Sequence, residues 1–216
     1  MRALFPRWSN SALPAVLILG AVGLLGVPIA LMTWVRTPYS TDRLAPVEQP
    51  VQFDHRHHVI DDGIDCLYCH YTAGEAATAS VPPTELCMNC HAQIWNESPL
   101  LEPVRRSMFT GRPIPWKRVH DLPDFVFFHH AVHVRKGVGC SSCHGQVETM
   151  PVVYAVESMS MGWCLDCHRR PEKHLRPPER VTDIAWRPPP DQEAQGRLLA
   201  ERLQVAPPTH CTGCHR

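Results

Sequence analysis

Cys66-Leu67-Tyr68-Cys69-His70 is the stretch that decides the fold, because its pattern returns four more times along the chain. The copies are Cys87-Met88-Asn89-Cys90-His91, Cys140-Ser141-Ser142-Cys143-His144, Cys164-Leu165-Asp166-Cys167-His168 and Cys211-Thr212-Gly213-Cys214-His215. The chain has 10 cysteines, and these C-x-x-C-H copies use all of them. Two thiols at this spacing can each add across one vinyl group of a porphyrin, and the adjacent histidine is then held under the iron. The pattern predicts five covalently bound haem c groups. Their thioether anchors are Cys66, Cys69, Cys87, Cys90, Cys140, Cys143, Cys164, Cys167, Cys211 and Cys214, and their proximal ligands are His70, His91, His144, His168 and His215.

Two other chemistries use paired cysteines. The first four run C-x2-C-x17-C-x2-C, a spacing that also suits zinc. Zinc explains neither the histidine after every second cysteine nor the fifth pair. Structural disulfides suit an exported chain, but C-x-x-C closes a very small loop and more often serves exchange chemistry.

The chain has 216 residues, with 21 Lys+Arg against 21 Asp+Glu, so nothing in the charge points to a nucleic-acid partner. Its 22 prolines are roughly twice the usual share of about 5%. Long helices and sheets are not expected. The fold class predicted is a multihaem cytochrome c, mostly loops with short α-helices packed around haems, plus one N-terminal transmembrane helix. The porphyrins would supply much of the apolar core.

Residues Ala12 to Val35 carry no charge. The run can cross a hydrocarbon core of about 30 Å at about 1.5 Å per residue. It is longer than the apolar region of about 7–15 residues in a cleavable signal, and Leu31-Met32-Thr33-Trp34-Val35-Arg36 offers no convincing cleavage site. Trp8, Trp34 and Tyr39 sit where an interfacial aromatic belt lies, and Pro28 is placed to kink the span. Arg2 and Arg7 before it nearly balance Arg36 and Arg43 after it, so flanking charge leaves orientation open. Haem attachment occurs outside the cytoplasmic membrane in bacteria, which decides it. The division expected is a cytoplasmic N-terminus (1–11), a membrane anchor (12–35), a linker (36–52) and a periplasmic pentahaem domain (53–216).

Two segments of that domain echo each other. Phe53-Asp54-His55-Arg56-His57-His58 precedes the first motif, and Phe128-His129-His130-Ala131-Val132-His133 precedes the third. Both read Phe-x-His-x-x-His, which suggests a duplicated two-haem unit. A short helix is expected from about Asp191 to Leu203.

An iron that only transfers electrons needs a sixth ligand. Of 14 histidines, five lie in the motifs and nine outside them. His55, His58, His130 and His133 are the natural distal candidates, since three-residue spacing on a helical turn puts two imidazoles near one face. His120 is the first choice for the fifth distal ligand; Met159, Met161, His174 and His210 are rivals. A methionine ligand would raise that haem's potential. His57 and His129 fall between the paired positions and are expected to be solvent or supporting groups.

The Phe-x-His-x-x-His units resemble the class III and seven-type multihaem cytochromes. That resemblance implies that His55 serves the haem on Cys66/Cys69 and His130 the one on Cys140/Cys143, with His58 and His133 reaching other haems. Pro115-Trp116-x-x-Val119-His120-x-Leu122-Pro123-Asp124 and Met161-Gly162-Trp163-Cys164-Leu165-Asp166-Cys167-His168-Arg169, with the anchor and five motifs, resemble the pentahaem subunits of bacterial alternative complex III. The resemblance covers nearly the whole chain. It implies an electron-transfer subunit, not itself an enzyme, in a quinol-oxidising membrane complex. The implied partners are an iron–sulfur protein, polytopic membrane subunits, a monohaem cytochrome, and a periplasmic carrier or an oxidase as acceptor. The mechanism expected is haem-to-haem electron hopping.

Two other functions compete. A stand-alone membrane-anchored quinol dehydrogenase would feed a periplasmic reductase, but that family often places methionine shortly after its first motif, where Tyr71-Thr72-Ala73-Gly74 stands here. A multihaem reductase would need an open iron, whereas all five motifs end in histidine and free histidines suffice for closure.

Overall fold

A computed structural model of the chain describes residues 6–215. Arg2 and the first residues of the expected cytoplasmic segment lie outside the described residues. The chain divides into two compact units, one up to Arg43 and one from Leu44.

The first unit is built on one helix, α1 (Ser9–Trp34), long and apolar enough to cross a membrane and without a buried residue. It is apolar all round, the pattern of a helix that needs a nonpolar solvent on every side. The helix begins three residues before the expected Ala12, where the Ser9 hydroxyl and backbone N–H both donate to Pro6 O. Pro28 has no N–H for the preceding turn, and the helix widens there to π geometry over Val22–Gly26. It ends where Thr37 turns extended, φ −73° and ψ 153°, ahead of Pro38. The Trp34 and Tyr39 rings lie 5.2 Å apart just beyond that end.

The second unit is made of short helices and turns, as expected. Its helices are α2 (Thr84–His91), α3 (Glu102–Thr110), α4 (His130–Arg135), α5 (Met161–Arg169) and α6 (Gln192–Arg202). The helix expected from about Asp191 to Leu203 is α6. No strand occurs among the described residues, only the isolated bridges Val126 with His215 and Val138 with Leu175. Segment 36–52, expected as a linker, divides at Arg43. From Leu44 it is built into the second unit through Leu44 N–H to Ala155 O and Val47 N–H to Val153 O, at 2.8 and 3.0 Å. Val51 then joins Val104 and Ile114 in a small core that also packs Met88 and Trp116.

Three contacts set the positions of the motif-bearing segments. α4 lies along the turn after the first motif, with Ala131 N–H donating to Ala76 O and the Arg135 guanidinium to Gly74 O. α2 is tied to α3 by the Thr84 and Ser107 hydroxyls at 2.7 Å. α6 lies against Pro171–Lys173 through Gly196, where a Cβ would stand 1.9 Å from Glu172 O.

Candidate haem-binding sites

None of the ten cysteines is paired in a disulfide. Each C-x-x-C pair sits on a helical turn. The first forms the turn Cys66–Cys69, the second and fourth lie in α2 and α5, Cys140 leads into Ser141–His144, and the last lies at the 3-10 turn Cys211–Gly213. Residues three apart on such a turn face the same way, so each pair presents both sulfurs to one face. Side chains start these turns. The Asp65 carboxylate accepts from Leu67 N–H at 2.8 Å, and the Ser160 hydroxyl from Trp163 N–H at 3.3 Å.

The histidines show a consistent use of their two nitrogens. The Nδ1 atoms of His58, His91, His130, His133 and His168 lie 2.8–3.1 Å from the carbonyls of Asp54, Ile94, Ala73, His129 and Pro208. His70 Nδ1 lies 3.5 Å from Ser80 O. A carbonyl only accepts, so Nδ1 carries the proton and Nε2 keeps its lone pair. That is the arrangement of metal-ligating histidines, whose second nitrogen donates to a carbonyl or carboxylate. Burial also favours the neutral ring at five histidines. It pushes His55 down to about 4, with His70 and His58 adding to it, and His144 down to about 3, with His120, His130 and His70 adding. His70, His120 and His133 are lowered for the same main reason.

The ring separations test whether an iron fits. Two imidazoles bound on opposite sides of one metal at about 2.0 Å each leave their ring centres roughly 6 Å apart. His58 and His91 are 6.1 Å apart, His133 and His168 6.1 Å, and His130 and His144 6.2 Å. In each pair one partner is a motif histidine and the other a distal candidate. His55 neighbours His70. The two phenylalanines act alike: Phe53 stacks on His58 at 4.4 Å and meets His55 edge-on, while Phe128 stacks on His133 at 4.7 Å and meets His130 edge-on. The duplicated segments therefore share one local geometry as well as one pattern.

His120, the first choice for the fifth distal ligand, lies beside the third motif. Its ring stands edge-on to His144 at 4.4 Å, and its Nε2 is buried with no partner. The ring facing His215 is Phe125, at 5.8 Å. Met159 holds φ 48°, a left-handed conformation costly for this residue type, and Met161 opens α5 at 61% exposure. His174 is half-buried, and His210 is exposed with its ring beside Gly213. His57 is exposed and bonded to Asp61 at 2.9 Å; exposed His129 offers its carbonyl to His133. The Phe125 position and the carbonyl acceptors were invisible to the sequence reading, since any residue has a carbonyl.

The sites are also ordered in space. His58, just before the first motif, faces His91 of the second. Cys69 neighbours Cys87 and Cys90. The first and third motifs meet where His130 Nδ1 donates to Ala73 O and where Cys66 and Cys140 lie side by side. Burial pushes the Cys143 thiol up to about 12, with Cys167 and Cys164 adding, so the third site adjoins the fourth. The fourth touches the fifth through His168 Nδ1 to Pro208 O and through Cys164 beside Cys214. The succession is second, first, third, fourth, fifth. Cys90 and Cys211, at its two ends, are exposed, while the other eight cysteines are part-buried.

Among the described residues no group of three or more His, Cys, Asp or Glu is arranged to hold a bare metal ion. Imidazoles paired at 6.1–6.2 Å, beside paired cysteines and exposed aromatic rings such as Tyr68, Tyr71, Phe125 and Phe128, fit a large apolar macrocycle instead.

The comparisons agree with that geometry. The family model for cytochrome c7 and related cytochrome c matches residues 126–216, which hold the last three motifs. The chain is 30% identical over 149 residues to the multihaem cytochrome c subunit of menaquinone reductase from Nitratidesulfovibrio vulgaris, covering 59% of this chain and 70% of that protein. With the motifs, the imidazole pairs and this relative in agreement, the chain belongs to the multihaem c-type cytochromes.

Proposed function

We propose that this chain is the membrane-anchored pentahaem relay subunit of a quinol-oxidising complex of the alternative complex III kind. α1 anchors it in the cytoplasmic membrane with the N-terminus in the cytoplasm. The second unit stands on the periplasmic side and delivers electrons to a carrier or an oxidase. Haem c, when bound, supplies a one-electron iron couple. The imidazole pairs at 6.1–6.2 Å carry the relay reading. At three of the motifs a second imidazole faces the motif histidine, and such a pair would hold a haem iron and shield it from water and substrates. Nδ1–H bonds to carbonyls hold five of these six rings in orientation. The ordered succession of motifs gives a path with two exposed ends.

No acid–base pair suited to quinol stands out along that path, so quinone chemistry belongs to partner subunits in this reading. The partners are the iron–sulfur protein, polytopic subunits and monohaem cytochrome that the family resemblance implies. The relative named as a menaquinone reductase subunit supports a quinone-active assembly. Its name also favours a second reading, in which electrons run towards menaquinone.

Pyridine haemochrome with intact mass on the purified full chain should give five haems per chain; fewer would break the count. Direction is read by mixing. Quinol should reduce the haems in the native membrane complex and fail to do so in the isolated chain. Rapid quinol reduction of the isolated chain would end the relay assignment, and oxidation of pre-reduced haems by menaquinone would favour the second reading. A reporter fused after Arg216 should be active on the periplasmic side alone.

A further inference from the structure

Arg176 is a buried cation without a counter-ion. It is 6% exposed, and its Nε is buried with no hydrogen-bond partner. One terminal nitrogen donates to Ser141 Oγ at 3.2 Å and the other to Asp183 O at 3.3 Å. The guanidinium carbon lies 5.4 Å from the centre of the Trp186 ring. Among the described residues no carboxylate stands within ion-pair distance of it. Asp183, the nearest candidate, gives its carboxylate to Arg180 at 2.5 Å.

The local fold is built to hold the guanidinium at the third motif. Arg176 N–H donates to Gly137 O at 2.8 Å, and Val138 bridges to fully buried Leu175. Gly137 has φ +85°, and a Cβ there would stand 2.3 Å from Arg176 O. Gly139 leaves room for the guanidinium in its observed position, since a Cβ there would stand 2.1 Å from the guanidinium carbon. Two glycines thus open a cradle immediately before Cys140, and Ser141, inside the C-x-x-C pair, receives one arm of the fork. A charge taken out of water this far is retained when an anion meets it. A planar guanidinium matches a carboxylate through two parallel N–H bonds.

We propose that Arg176 is the anion-binding side chain of the third site and pairs with a propionate carboxylate of the haem attached at Cys140 and Cys143. This rests on the pentahaem reading above. Arg176 is a positioning residue: it touches the porphyrin's carboxylate and not the iron. It orients the macrocycle in its cradle, and its fixed positive charge favours the reduced iron.

The test uses the full chain in detergent, with Arg176→Met, Arg176→Gln and Arg176→Lys. Haem content comes from pyridine haemochrome, and the five couples from potentiometric titration followed by optical and paramagnetic resonance spectra. Five haems are expected in the wild type; fewer there would overturn the pentahaem reading, not the pairing. Met and Gln should move one couple of the five to lower potential by at least a tenfold change in its redox equilibrium, 59 mV for one electron. Lys, which keeps the charge, should hold that couple within this interval. Loss of one haem in Met and Gln with all five kept in Lys supports the same pairing through its anchoring role. Five unmoved couples in Met or Gln overturn it. Equal shifts, or equal haem loss, in all three variants also overturn it, because the effect would then come from packing against Gly139 and Trp186.

Discussion

At the scale of single residues, the imidazole pairs make separable predictions. His133 stands across from His168 at 6.1 Å and is not part of any C-x-x-C-H motif. His133→Ala should therefore keep all five haems and convert one iron to high spin. The measurement is a g ≈ 6 resonance integrating to about one fifth of the iron, since one closed axial position would open. A spectrum that stays wholly low-spin would assign that position to another ligand. Acid should act on the buried histidines together. Their pKa values in the fold, about 4 at His55 and about 3 at His144, lie below the unfolded value of about 6.5. Acid therefore protonates the unfolded chain first. Their contribution is fully present above about pH 6.5 and is lost as the pH falls from there towards the folded values, by up to about 1.4 kcal/mol per unit for each histidine. Melting temperature should be flat from pH 8 to 6.5 and fall below it. A melting temperature that rises on acidification would contradict the neutral, ligating state.

At the scale of elements, α4 and α6 show what helices do in a molecule with little core. α4 carries His130 and His133 and buries Ala131 and Val134, at 1% and 8% exposure, on the adjoining face. The buried pair fixes the helix against the turn after the first motif, so both distal ligands move if it moves. Ala131→Leu should cost about 1–3 kcal/mol through overpacking and broaden the low-spin signals of two sites at once. Broadening at one site alone would mean the histidines are held independently. α6 inverts a common rule. Gly→Ala inside an exposed helix usually stabilises by about 1 kcal/mol, yet a Cβ at Gly196 would strike Glu172 O at 1.9 Å. Gly196→Ala should lower the melting temperature, at about 2–4 °C per kcal/mol for a chain of this size. A gain would show that α6 does not pack there.

At the scale of the whole molecule, what was legible in the sequence is what chemistry repeats. Five C-x-x-C-H copies announce themselves by spacing, the Phe-x-His-x-x-His echo by duplication, and α1 by an uncharged run. The order of sites was not legible, because it depends on contacts such as Ala73 with His130 and Pro208 with His168, which join residues 57 and 40 positions apart. Arg176 was hidden for the same reason, since Ser141 lies 35 positions away. The buried hydrophobics of the second unit are few and mostly small: Val51, Ala73, Val104, Ile114, Ala131, Val134, Met150, Leu175 and Val181. Fixing each residue's backbone costs about 1–2 kcal/mol, which so sparse a core cannot offset at about 25 cal/mol per Å². Meanwhile Tyr68, Tyr71, Phe125, Phe127 and Phe128 stay between 43% and 58% exposed beside the motifs. Porphyrin faces laid over these rings would bury them and complete the core. The full chain produced without haem attachment should therefore show no cooperative thermal transition by circular dichroism, and its remaining helix signal should come from α1. In the haem-loaded chain the same scan should give one sharp transition, coincident with loss of the low-spin Soret band. A sharp transition in the haem-free chain would mean that the polypeptide alone supplies the core.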